Sequence, residues 1–130
     1  MPDKIVTGYA AMWPRAIFDI KEGGQQLQRI KDSLAFSGVY ILHRDDDIYY
    51  IGRTNGNLFN RIRKHATRPK AKYYNFWNFF SAFVIPDNGH ISEVEGILIA
   101  VTPKSANRAN PRITRIPLPP SIGKQLRNLR

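Results

Sequence analysis

The chain has 130 residues, 42% of them hydrophobic and none of them cysteine, with 20 Lys plus Arg against 10 Asp plus Glu and a formal net charge of +10. That length bounds one domain around one core, and the missing cysteine excludes disulfides, thiolate zinc sites and thiol nucleophiles. The positive excess favours a polyanion, with nucleic acid ahead of an anionic membrane surface. Residues 1–12 lack a basic stretch followed by an apolar one, so no signal peptide is expected. No apolar run approaches the roughly 18 residues that a membrane span needs.

Residues 1–13 show no period, and Pro14 suits the first turn of a short helix over residues 15–20. Gly23 and Gly24 end it. Over residues 25–35, Leu27, Ile30 and Leu34 recur at helical spacing between polar residues, which predicts an amphipathic helix. Residues 38–43 (GVYILH) and 48–53 (IYYIGR) are β-branched and aromatic, and a polar turn separates them. They predict a β-hairpin. Asn57 is a candidate N-cap for a helix over residues 58–67, with Leu58, Phe59, Ile62 and Ala66 as its apolar stripe. Arg61, His65 and Arg68 fall on a neighbouring face of that helix. Pro69 stops it.

Residues 76–85 (FWNFFSAFVI) are apolar on both alternating faces and predict a central strand covered on both sides. Residues 86–89 form a turn. A helix follows over residues 92–101, with Ser92 as N-cap and Pro103 as its stop. The remainder is rich in Asn, Pro and Arg, with a short basic helix near Lys124 and Arg127. The fold class is α+β, with a small, mainly antiparallel three-stranded sheet flanked by helices. The expected organisation is one domain over residues 1–130. It divides into a core at 38–112, an N-terminal helical extension at 1–37 and a basic C-terminal tail at 113–130.

Gly38-Val39-Tyr40 and Tyr50-Ile51-Gly52 lie on the two strands of the hairpin. The stretch 61–65 has the form Arg-x-x-x-His, Glu95 opens an apolar helix, and Pro103 and Asn107 follow it. This ordered set resembles the GIY-YIG nucleases over residues 38–112. Val39 stands where Ile is usual, and the loop before Arg61 is one residue longer, which leaves Arg63 as an alternative. Asn110 is the alternative to Asn107.

The resemblance implies a metal-dependent endonuclease that hydrolyses DNA phosphodiester bonds by in-line attack of an activated water. The implied catalytic residues are Tyr40, Tyr50, Arg61, His65, Glu95 and Asn107, with Glu95 as the ligand of a Mg²⁺ (or Mn²⁺) ion and Glu93 as its backup. A hard cation that keeps most of its waters needs only one or two protein carboxylates. Arg61 would clamp the phosphate, as a forked guanidinium does well. His65 would contact the phosphate or move a proton. Tyr40 is favoured as the base and Tyr50 as an orienter, and Asn107 would orient the substrate or Glu95. Arg53, Arg63, Lys64, Arg68, Lys70, Lys72, Arg108 and Arg112 are candidate phosphate contacts, which position nucleic acid without reading its sequence.

Each of these residues also has a plain structural use. Ser92-x-x-Glu95 fits a capping box. The tyrosines can pack in the sheet, and Arg61 and His65 can form a solvated helix face. Gly52 either lets the strand end turn or lets DNA approach. Asp45, Asp46 and Asp47 are ordinary hairpin-tip residues, and His43 and His90 are a strand end and a loop residue. The aromatic run from Tyr73 to Phe80 is mostly core, with Tyr73 and Tyr74 placed to touch nucleic acid. The rival to the nuclease is a catalytically silent nucleic-acid-binding module on the same fold, and a third reading is a basic protein-interaction module. A cytoplasmic or nucleoid-associated location, no membrane, and a homodimer or recognition partner complete the expectations.

Overall fold

β-branched and aromatic residues suit a pleated, half-buried surface, and the hairpin forms where they run. In the computed structural model, which describes residues 4–70, 75–102 and 113–129, strand β2 (Gly38–Arg44) pairs antiparallel with β3 (Asp47–Thr54). Strand β4 (Phe79–Val84) pairs antiparallel with the other side of β2. It is shorter than expected: Asn78, just ahead of it, still donates its N–H to His43 O at 2.9 Å, while its side chain bonds the hairpin tip. The Asn78 amide accepts from Asp45 N–H at 2.8 Å and donates to the Asp45 carboxylate at 2.9 Å.

The sheet has four strands rather than the expected three, in the order β1-β4-β2-β3. The fourth, β1 (Gly8–Pro14), pairs antiparallel with β4. Its period is hidden by a register shift between Ala10 and Trp13, with Met12 at a left-handed φ of 54°. A bulge of this kind breaks the two-residue alternation that marks a strand in sequence. The expected N-terminal helical extension therefore begins with a strand and is built into the core. After β1 comes a 3-10 turn, Arg15–Asp19, then helix α1 (Gly24–Ser33). Phe18 of the turn packs on Phe59 and Phe80 at ring separations of 5.2 and 5.5 Å. Arg15 donates to Ala66 O at 2.9 Å and Trp77 O at 3.2 Å, with its guanidinium 5.0 Å from the Trp77 ring centre.

The two faces of the sheet carry separate cores. Tyr40, Leu42, Phe80 and Ala82 pack with Leu58, Phe59 and Ile62 of helix α2 (Leu58–Thr67). Val39, Ile41 and Ile51 pack with Ile91, Val94 and Leu98 of helix α3 (Ile91–Val101). Asn57 caps α2 as expected, its side chain accepting from Asn60 N–H at 2.9 Å. Helix α3 begins one residue earlier than expected, with His90 at its N-cap and no side-chain cap. Ser92 thus lies inside the helix, and the capping-box use of Glu95 falls away. Helix α4 (Pro120–Arg127) opens on a proline, as the first helical position tolerates. Among the described residues no helix is long and apolar enough to cross a membrane.

Candidate active site

Alternation along a strand sends neighbours to opposite faces, so the hairpin divides its site residues between the two cores. Tyr40, Tyr50 and Gly52 face α2, whereas Arg53 faces α3. Tyr40 pairs across the ladder with Gly52, and its ring lies over that glycine. A Cβ at Gly52 would sit 2.4 Å from Tyr40 Cζ, 2.5 Å from its Oη and 2.8 Å from Tyr50 Cε2. Gly52 is therefore required by the tyrosine that crosses it. Gly38 has a similar cause: its Cβ would meet Phe83 O at 2.0 Å.

The Tyr40 hydroxyl lies 2.9 Å from His65 Nε2. The two rings are 5.7 Å apart, and the Tyr50 ring lies 6.2 Å from Tyr40 and 6.1 Å from His65. Tyr40 is only 2% exposed, while Tyr50 and His65 are half-buried. The hydrogen bond fixes Tyr40 from the helix side and leaves the other two rings nearer to solvent. Arg61, one turn before His65, is exposed, as are Arg63, Lys64, Arg68 and Lys70.

On the other face, Arg53 Nε approaches Glu95 Oε1 at 3.7 Å, an ion pair longer than a hydrogen bond. The same guanidinium donates to Ser92 Oγ. The Glu95 side chain is 16% exposed. Burying a carboxylate that far is costly without a partner, and Arg53 supplies one. Arg53 was expected only as a phosphate contact, and its pairing with Glu95 was missed. The available signal was its position one residue past Gly52, which turns it toward α3. Glu93 is exposed on α3.

Both groups border β3, one of the two edge strands of the sheet, where a long polyanion can approach without displacing a neighbouring strand. Tyr40, Tyr50 and His65 are thus brought together, and Glu95 joins Arg53 across the same strand. Among the described residues no three His, Asp or Glu side chains gather as a metal cage. Asn107, Asn110, Lys72, Tyr73, Tyr74, Pro103, Arg108 and Arg112 lie outside the described residues.

The GIY-YIG catalytic domain matches residues 36–110. The chain belongs to the GIY-YIG family. Neither the curated proteins nor the solved structures compared with the chain give a significant match. Membership places the protein in a family of nucleases, whose substrates are nucleic acids. The matched span begins just before β2 and takes in the hairpin, α2, β4 and α3. Strand β1 and helix α1 lie ahead of it.

Proposed function

We propose that this GIY-YIG protein is an endonuclease that hydrolyses DNA phosphodiester bonds with one divalent cation, Mg²⁺ or Mn²⁺. The carrying observation is the 2.9 Å contact between Tyr40 Oη and His65 Nε2. A phenol by itself is a poor general base at neutral pH, because with a pKa of about 10 it still carries its proton. When His65 Nε2 is unprotonated, the Tyr40 hydroxyl donates to it. Tyr40 Oη can then take a proton from the attacking water as its own proton passes to His65. The pair therefore acts as one base, with the buried phenol as its inner member. Tyr50, half-buried beside both, orients the water or the phosphate.

Glu95 suits a hard cation: it offers carboxylate oxygen, the donor that Mg²⁺ and Mn²⁺ prefer. Arg53 pairs with one of its oxygens at 3.7 Å. A cation bound there would neutralise charge on the phosphate and orient the reactants. Arg61 is exposed on the α2 face and suits a bidentate clamp on the phosphate. Asn107 is assigned to orienting the substrate or Glu95. The exposed Arg63, Lys64, Arg68 and Lys70 position the backbone. A cytoplasmic or nucleoid-associated site of action fits this reading, and a homodimer or a separate partner would supply sequence recognition.

The test is nicking of supercoiled plasmid with Mg²⁺ or Mn²⁺, comparing wild type with Glu95→Ala. Metal-dependent cleavage that vanishes in the variant, with DNA binding retained, supports the nuclease. Tight, salt-sensitive binding with no cleavage of any DNA form would replace it with the silent binding module.

A further inference from the structure

The hairpin ladder is irregular one residue before Tyr50. Leu42 pairs with Tyr50 and His43 with Ile48, which leaves Tyr49 as the extra residue of a bulge. Bulges re-aim side chains and concentrate beside active sites. Here the bulge sets the Tyr49 ring against Phe76, with ring centres 5.8 Å apart and planes 23° from parallel. Phe76 is 49% exposed, whereas Trp77 and Phe80 beyond it are 3% and 0% exposed. Those two fill the core, whereas the half-buried Tyr49 ring is extended toward solvent by the exposed Phe76.

The stack lies along the edge strand that carries the site. Tyr49 is three residues from Gly52, or about 10 Å at the rise of a strand. That length corresponds to about three base steps of a nucleic-acid strand. On the far side of Tyr49 stand the exposed Asp45, Asp46 and Asp47. They repel a phosphate backbone, so the position next to the rings suits a base, whose π-face carries no charge. Aromatic side chains hold unpaired bases in this way whatever their sequence. Bases inside a duplex offer no free face unless they are flipped out at a cost.

We infer that Tyr49 and Phe76 form a stacking platform for an unpaired nucleobase within about three nucleotides of the scissile phosphate. The inference rests on the nuclease reading for its substrate. It makes the preferred substrate DNA with unpaired bases beside the cut rather than continuous duplex.

The experiment is a binding titration in EDTA, where cleavage does not enter. The probe is a DNA duplex carrying 2-aminopurine either in an unpaired bulge or fully paired. Stacking should quench the unpaired probe on addition of wild type. Phe76→Leu should abolish the quench and weaken binding of the bulged probe by roughly 10-fold, with the paired duplex bound as before. Phe76→Tyr should restore both. Tyr49→Leu should give the same selective loss, and thermal melts would show that each variant is folded. Unchanged quenching in Phe76→Leu and Tyr49→Leu would overturn the platform, as would an equal loss on paired and bulged DNA. Selective quenching without cleavage of any DNA form would leave the platform standing and remove the nuclease. Cleavage without selective quenching would remove only the platform.

Discussion

Tyr40 on β2 and His65 on α2 meet through a 2.9 Å hydrogen bond, which ties the sheet to the helix above it. Groups that work as one unit are not additive when removed. Tyr40→Phe and His65→Gln should each lower kcat by about 100-fold or more, the scale of a lost general base. The double variant should lose little beyond either single one. Single-turnover nicking rates across this cycle check the pair. Additive losses would separate the two residues, and a larger loss in Tyr50→Phe than in Tyr40→Phe would move the base to the more exposed phenol.

Gly52 is the position where a methyl group meets the site directly. Its Cβ would lie 2.4 Å from Tyr40 Cζ, within a ring that is already packed and hydrogen-bonded. Gly52→Ala should destabilise the fold by about 1–3 kcal/mol, the usual cost of overpacking. It should also slow cleavage, because the Tyr40 ring must move away from His65. Denaturant melts and nicking rates of the same preparation test both. An unchanged midpoint would show that the ring relaxes freely.

The pairing of Arg53 with Glu95 makes a different forecast for metal dependence. A guanidinium beside a carboxylate competes with any other cation for its charge. Arg53→Ala should therefore lower the Mg²⁺ concentration at half-maximal nicking while reducing the maximal rate, whereas Glu95→Gln should abolish metal-dependent nicking. If Arg53 also touches the substrate, its removal reduces the salt slope of DNA binding by about one. A higher Mg²⁺ midpoint in Arg53→Ala would instead make Arg53 the residue that orients Glu95 for the metal.

The hairpin was legible from two β-branched and aromatic runs on either side of a polar turn, α2 and α3 from their apolar residues, and Asn57 carries a cap with a local partner. Strand β1 was not legible. It lies at the sheet edge, and its bulge with Met12 in a left-handed conformation breaks the alternation. Ser92 misled for a different reason. Its spacing to Glu95 fits a local cap, but its hydroxyl is taken by Arg53, 39 residues away in sequence. The meeting of Tyr40 and His65 follows from neither period alone, since it needs the distance between a strand and a helix. The family pattern named both residues, and the fold supplied their contact.

His43 offers a test of the core that is separate from the site. It is buried on β2, with Nε2 2.8 Å from Ser81 Oγ and Nδ1 without a hydrogen-bond partner. Ser81 Oγ in turn accepts from Met12 N–H at 3.1 Å, linking His43 to the β1 bulge. Protonation would put a charge and an unpaired N–H into this interior. Burial accordingly holds the His43 pKa below its usual 6.5. In the unfolded chain the group regains that ordinary value, so the unfolded state takes up the proton first as pH falls. The stability from neutral His43 is fully present above about pH 6.5 and is lost as pH falls toward and through its folded pKa. Melts across this range should show a midpoint that declines below about pH 6.5 in wild type. His43→Gln, which cannot titrate, should be flatter over the same window. Parallel curves for the two proteins would assign the decline to other groups.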